Sequence, residues 1–356
     1  MQTAGDAHCL NFGGFATPER NVIFDLNDFD ETLPGPWEWD IKRLATSIAL
    51  AGRNAGIRAR DTDTATLATL GAYRARMADL AAMPALDVWY SRLDAAKILD
   101  AAAEPDVRRR HDRIIEHAAT EPIRSLVDKL TEVVDDTWRF REDPPRLFHS
   151  AETDRAGFDI EAILKAYTAS LPAEIAHLYT RYHLVDHAIK VVGVGSVGTR
   201  CGIALLAADD HDPLLLQVKE AVPSVLAAHL PPSLYPNNGE RVVRGQRLIQ
   251  HASDLFLGWA SSGERNFYIR QFKDFKASAN LDDVDAAGLR AYGQVCSYAL
   301  AAGHARSGNA AAIAGYLGKS DIFDRALVTF ANTYADQAER DFAAFGAALA
   351  EQPEAA

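Results

Sequence analysis

Apolar positions divide the chain into stretches of different period. The first forty residues show no helical repeat. Gly5, Gly13 and Gly14, the turn at Pro18-Glu19-Arg20-Asn21 and the apolar Val22-Ile23-Phe24 predict a loop, a turn and a short strand. After Pro34-Gly35-Pro36, residues Ile41, Leu44, Ala45 and Ile48 recur at helical spacing, and Asp40 suits a helix start, so a helix is predicted from Trp39. From about Asp61 to Val134 the pattern stays almost continuously helical, with Leu67, Leu70 and Tyr73 in one segment and further segments over 88–102 and 107–117. The stretch 140–158, with prolines and charges, reads as a linker or surface crossing.

The period changes near Ala188. Residues 189–194, 201–207 and 213–218 read as strands joined by tight turns, 266–272 as another strand, and 240–257 as a helix between them. After Asp282 the pattern is helical to the end. The expected fold is α+β, mostly helical with a small antiparallel sheet. It is organised as a first helical part (1–186), a β-rich part (187–275) and a second helical part (276–356).

Charge narrows the partners. With 37 Lys+Arg against 49 Asp+Glu the net charge is −12, opposite to what a phosphate-backbone binder needs, so nucleic acid is not expected. Small phosphorylated ligands remain admissible where Mg²⁺ or a local lysine offsets their charge. The longest charge-free stretch, 221–239, is broken by Pro223, Pro231, Pro232 and Pro236, so no membrane span or membrane partner is expected. Met1 is not followed by a basic segment and an apolar run, so no signal peptide is expected. Cys9, Cys201 and Cys296 are too far apart for a Cys-x-x-Cys site and read as free thiols, which fits a cytoplasmic location.

Three segments carry candidate chemistry. In Gly5-Asp6-Ala7-His8-Cys9-Leu10-Asn11, the Asp6-to-Asn11 spacing is that of a kinase catalytic loop, where the Asp meets the substrate hydroxyl and the Asn holds Mg²⁺. An ordinary polar loop is the alternative. In Phe24-Asp25-Leu26-Asn27-Asp28-Phe29-Asp30-Glu31, four acids follow a strand. Asp28 is the first candidate for a hard cation, Asp30 the second and Asp25 the third, against a simple solvated turn. The third segment, Gly193-Val194-Gly195-Ser196-Val197-Gly198, is a phosphate-cradling glycine pattern with two forms: a dinucleotide loop opening a helix, or a hairpin over nucleotide phosphates. Thr199-Arg200-Cys201-Gly202 opens a helix poorly, and Lys219 ends a strand 21 residues past Gly198, which favours the hairpin. The dinucleotide form would make the chain an NAD(P)-dependent oxidoreductase.

Other residues have plainer readings. Trp37 and Trp39 read as core anchors; His183 and His187, spaced i, i+4, could on a helix bind a metal, but with no third ligand they read as a surface or capping pair. His304 reads as packed within its helix, Arg108-Arg109-Arg110 as a solvated face, and Arg270 and Lys273 as either surface or cleft residues. Base and metal loops precede the glycine loop and lysine, so one phosphoryl-transfer site requires a circular permutation. A helix over 299–305 would then lie just before the Gly5-Asp6 loop in space.

Taken together, Gly5-Asp6-Ala7-His8, Asn11-Phe12-Gly13, Asn27-Asp28-Phe29-Asp30-Glu31, the 35–44 run, the 193–200 loop, Gln217-Val218-Lys219-Glu220-Ala221, Gly245-Gln246-Arg247 and His304-Ala305-Arg306-Ser307-Gly308 resemble the bacterial family known as domain of unknown function 2252. The Asp-x-His-x-x-Asn run also resembles aminoglycoside and choline phosphotransferases. The resemblance implies a permuted two-lobe, protein-kinase-like fold binding ATP and Mg²⁺, with transfer to a small-molecule hydroxyl or amine. By it, Asp6 is the base and His8 braces the loop. Asn11 with Asp28 or Asp30 holds Mg²⁺, Gly193, Gly195, Ser196 and Gly198 cover the nucleotide, and Lys219 contacts its phosphates. Asp40 resembles the structural Asp opening a buried helix beneath the catalytic loop. No acid partner of Lys219 is singled out: Glu240, on the following helix, is a candidate, while the adjacent Glu220 points to the opposite face of the strand. Two departures stand out: Ala4 occupies the place of a usual His, and only four residues precede Gly5, which implies a misplaced start or a shortened chain. A nucleotide-binding pseudokinase without turnover is the alternative.

Overall fold

The computed structural model describes residues 1–94, 123–135, 137–149, 158–191, 198–209, 212–272, 277–278 and 280–350. The amino-terminal segment makes β1 (Gln2–Thr3), β2 (Phe12–Ala16), β3 (Val22–Leu26) and β4 (Leu33–Pro34). β2 and β3 form an antiparallel hairpin and β1 pairs with β4. Helices α1 (Trp37–Asn54), α2 (Ala59–Ala81) and α3 (Ala85–Tyr90) follow. α1 starts directly after Pro36 and buries Ile41, Leu44, Ala45 and Ile48 on one face, the stripe that its spacing predicts.

α4 (Ile123–Leu130) is followed by β5 (Thr131–Val134), β6 (Thr137–Phe140) and β7 (Leu147–Phe148). Thr131–Val134, expected to be helical, is a strand paired with β6. Its β-branched residues and the positive φ of 50° at Asp135 favour a hairpin over another helical turn. The predicted helix over 107–117, the end of the one over 88–102, and Arg108-Arg109-Arg110 lie outside the described residues.

α5 (Ile160–Tyr167) and α6 (Ala173–Tyr179) lead into β8 (His183–Lys190), β9 (Cys201–Ala207) and β10 (Pro213–Ala221). His183 and His187 therefore lie on a strand, not on the helix that their spacing suggested. α7 (Asn238–Ile249) ends earlier than predicted, where Gln250 turns extended. β11 (Gly258–Ser262), which lacks a clear alternation, was not foreseen; β12 (Arg265–Gln271) was. β13 (Ala277–Ser278), α8 (Ala286–Ser307), α9 (Ala310–Leu317) and α10 (Ile322–Ala350) complete the order.

Six strands form one antiparallel sheet in the order β11-β12-β10-β9-β8-β7. β9 and β10 are buried on both faces, which explains their unbroken apolar runs. Ala204, Leu206, Leu214, Leu216 and Val218 pack against Ile160, Ile163, Leu164 and Tyr167 of α5. Their alternates Ile203, Leu205 and Leu215 meet Val127, Phe140 and Leu147. Packing on the sheet thus begins well before residue 187.

The helical core is built by α1, α2 and α8 together with β2 and β3. α2 presents Thr62, Thr66 and Thr69 to its neighbours, with hydroxyls bonded mostly within the helix. Small residues there let α8 come close: a Cβ on Gly293 would stand 2.1 Å from Thr69 Oγ1. Trp37 stacks on Tyr73 at 5.9 Å between centroids, as a core anchor should. Among the described residues the fold is α+β, about 50% helix with the six-stranded antiparallel sheet. Among the described residues, no helix is long and apolar enough to cross a membrane. Cys9, Cys201 and Cys296 are buried free thiols.

Candidate functional site

The Gly5-Asp6 loop is held from beneath by α1. Asp40, in the first turn of that helix, accepts the backbone N–H of Ala4 at 2.7 Å and of Gly5 at 2.9 Å. Gly5 has φ +86°, and a Cβ there would fall 2.3 Å from the carbonyl oxygen of Glu31, so the crossing of loop and acidic segment requires glycine. Asp40 is itself buried, and its Oδ2 meets His304 Nε2 of α8 at 3.0 Å. Tyr73 OH of α2 lies 2.7 Å from His304 Nδ1. Burial, then the charges of Asp40 and Glu38, push the Tyr73 hydroxyl well above its ordinary pKa, so it keeps its proton. A neutral imidazole with its proton on Nε2 satisfies all three groups. His304, expected simply to pack within its helix, braces the loop through Asp40.

The Asp6 side chain is held by an arginine of α1. Arg43, one turn along α1 from Asp40, holds Asp6 Oδ1 through Nε at 2.7 Å and Nη2 at 2.6 Å. His8 Nε2 lies 3.7 Å from Asp6 Oδ2, while His8 Nδ1 accepts from Leu10 N–H at 3.2 Å. His8 thus fastens the turn that brings Asn11 back. Burial lowers its pKa, which Asp6 and Asp28 partly oppose. Asn11 Nδ2 donates to the carbonyl of Asp6 at 2.7 Å, and the Asn11 carbonyl accepts Asn27 N–H at 2.9 Å. Asp28 follows directly, and its Oδ1 accepts Asp30 N–H at 3.2 Å.

Sheet parity delivers the other half. On β10, Leu215, Gln217 and Lys219 share a face; on β12, Tyr268 and Arg270 stand opposite Lys219 and Gln217. Toward the end of β10 the apolar face turns polar and meets the 28–30 segment. Lys219 Nζ makes an ion pair with Asp30, 189 residues away in sequence. Arg270 donates to Gln217 Oε1 at 2.9 Å and to the Asn27 carbonyl at 3.3 Å. Burial opposes its charge, but Tyr268, Asp28 and Asp30 outweigh that and hold its pKa above the ordinary value. Buried Arg241 of α7 donates to the carbonyls of Thr32, Asp30 and Val222, stapling the acidic segment to the strand exit.

The structure therefore gathers Asp6, His8, Asn11, Asp28, Asp30 and Lys219 into one connected group. The acid on Lys219 is Asp30, in place of Glu240 or Glu220. Glu240 pairs with Arg244 at 3.3 Å, and Glu220, on the opposite face as parity requires, takes Arg265 at 2.6 Å and Arg200. Asp25 stands apart: its oxygens accept Leu26 N–H and His251 N–H, and burial pushes its pKa up to about 6. Gly193, Gly195 and Ser196 lie outside the described residues. Gly198 has φ +85° and leads through Thr199-Arg200 into β9, antiparallel to β8, so the helix required by the dinucleotide form does not follow it.

Among the described residues no group of three or more His, Cys, Asp or Glu is arranged to hold a metal. Mg²⁺ takes one or two protein oxygens and completes its shell with phosphate and water, so Asn11 and Asp28 are the residues that could hold one. Arg43, Arg241 and Tyr268 were not foreseen. Arg43 was legible in part, three residues past Asp40 on one helix; Arg241 and Tyr268 carry no local signal.

The sequence model of the family described as "Uncharacterized protein conserved in bacteria (DUF2252)" matches residues 1–348, and the chain belongs to that family. No curated protein and no solved structure matches it.

Proposed function

We propose that the chain is a Mg²⁺- and ATP-dependent phosphotransferase acting on a small-molecule hydroxyl or amine, on a kinase-like plan whose parts are permuted along the sequence. The observation that carries this is the meeting of three distant segments: the Asp6–Asn11 loop, the Asp28–Asp30 acids and Lys219. The local plan fits. β8 and β9 are antiparallel neighbours, the lysine sits on the next strand, and a helix follows, the order in which a kinase arranges its phosphate-binding lobe. The permutation also fits: Ser307 at the end of α8 donates to the Gln2 carbonyl at 2.9 Å, beside the start of the loop.

In this reading, Asn11 and Asp28 hold the cation, and Lys219 and Arg270 offset phosphate charge. Asp6 orients the acceptor and takes its proton. A loose phosphoryl transition state asks mainly for orientation of the acceptor. ATP·Mg²⁺ supplies the transferred phosphoryl group. Asp6→Asn should abolish ADP formation across a panel of hydroxyl and amine acceptors while leaving calorimetric nucleotide binding intact. Lys219→Ala should weaken that binding. Unchanged turnover in the first and unchanged binding in the second would end the proposal.

A second reading, a nucleotide-binding regulatory module without turnover, draws on the pairs Arg43–Asp6 and Lys219–Asp30, which occupy both key side chains. Binding of ATP·Mg²⁺ with no ADP formation from any acceptor would favour it.

A further inference from the structure

On another side of β3 lies a cavity unrelated to that group. It is lined by Phe24 and Asp25 of β3, Arg76 of α2, Ser91 and Arg92 beyond α3, and His251 and Tyr298. None of its lining residues is Asp6, Asn11, Asp28 or Lys219. Its volume of about 50 Å³ gives room for roughly four water-sized groups, at about 10–15 Å³ of the same measure for each. That admits a phosphate-sized ion and excludes a nucleotide.

The lining is cationic in an unusual way. Arg76 donates to Ser91 Oγ and lies 4.7 Å from the centre of the Tyr298 ring, with no carboxylate partner among the described residues. Its Nε–H is buried and has no acceptor among them. Arg306, outside the lining but electrostatically near His251 and Asp25, is similar: it donates to the Gln250 carbonyl at 2.8 Å, stacks on Trp89 at 4.3 Å, and has a buried Nε–H without an acceptor among the described residues. Arg92 pairs with Asp94 through Nε at 2.7 Å. Against these three cations stand Asp94 and Asp25, the latter already serving two backbone amides. Both unmet donors belong to guanidinium groups, which suit tetrahedral oxyanions. A buried donor without an acceptor is costly, and an anion would remove that cost.

We propose that this cavity binds a small phosphate-class oxyanion, held by Arg76 and Arg92 with Arg306 adding its charge from outside the lining. Two sources share that chemistry: free phosphate and the phosphoryl end of a phosphorylated metabolite entering from the open side. Burial brings Asp25 to about 6, so near neutrality the carboxyl can take a proton as the anion enters; His251, lowered to about 4 by burial and by Arg306 and Arg92, stays neutral.

Calorimetry on the full chain with inorganic phosphate, and separately with glycerol phosphate, tests this. Saturable binding should weaken about tenfold or more in Arg76→Gln. It should also weaken in Arg92→Gln, at a partly exposed position. Binding should persist in Lys219→Ala. Tighter binding of glycerol phosphate would identify a metabolite's phosphoryl end, and tighter binding of phosphate the free ion. Absence of saturable heat with either probe overturns the proposal. So does loss of binding in Lys219→Ala with retention in both arginine variants that keep the parent's thermal unfolding profile.

Discussion

The Asp40–His304–Tyr73 chain makes a quantitative claim, because its members come from three helices and one hydrogen bond depends on the next. Tyr73→Phe removes one buried neutral bond and leaves His304 Nδ1 without a donor, costing about 1–2 kcal/mol. His304→Leu keeps most of the volume but removes the bond to a buried carboxylate, about 1.5–3 kcal/mol, and orphans the Tyr73 hydroxyl for about 1–2 kcal/mol more. In the double variant the orphaned hydroxyl is gone. The unmet Nδ1 is gone as well, so the double variant's cost should fall short of the sum of the single costs by about 2–4 kcal/mol, at or above the top of the range for directly bonded pairs. Urea denaturation of the four proteins measures that difference. Hydrogen exchange gives a second readout: Ala4 and Gly5 amides, both bonded to Asp40, should lose protection in His304→Leu. Costs that add within about 0.3–0.5 kcal/mol, with unchanged protection at both amides, would refute a connected brace.

Three further outcomes follow from the same geometry. Gly5→Ala places a methyl against the Glu31 carbonyl in a left-handed backbone, and should cost about 3 kcal/mol, seen as a lowered thermal midpoint; an unchanged midpoint would contradict the crossing. Lys219→Met should destabilise by about 1–3 kcal/mol by leaving Asp30 unpaired, and adding Asp30→Asn should recover part of that loss in urea; no recovery would deny the pair. Asp25 and His251 set opposing pH slopes. Asp25, raised to about 6, lends stability that is full below about 4 and lost as pH rises through 6. His251, lowered to about 4, lends stability that is present above about 6.5 and lost as pH falls through 4. Asp25→Asn should therefore uncover stability rising with pH between about 4 and 6.5, and a flat profile in that variant would exclude the opposition.

The sequence displayed what depends on neighbours a few residues apart. The stripe of α1 and the apolar runs of β9 and β10 show in a short window, because each rests on a period of 3.6 or 2. Thr131–Val134 escaped because a short strand after a helix gives too few positions for a period to emerge. β11 escaped because Gly258-Trp259-Ala260-Ser261-Ser262 takes its place by pairing with β12 and packing on α5, not by its own alternation. The connected group shows the same division. Asp6, Asn11 and Asp28 were legible as local spacings. The partners that fix them were not, since Tyr73, His304, Arg241 and Arg270 act across as many as 264 residues.

The partners outside the motifs bear on what the group can do. Asp40 spends its carboxylate on two backbone amides and His304, so it shapes the loop and has no oxygen to spare for a ligand. Asn11 spends its amide N–H on the Asp6 carbonyl, which leaves its side-chain oxygen as the group able to face a cation. Lys219 is different, because its partner Asp30 is itself one of the candidate metal ligands. In the phosphotransferase reading, Lys219 would pair with the nucleotide phosphate, and Asn11, Asp28 and the Asp30 carboxylate would be the residues to hold Mg²⁺, so that neither Lys219 nor Asp30 would be left without a counter-charge. In the regulatory reading the original pair stays closed. The Lys219–Asp30 contact is therefore the point at which the two readings diverge.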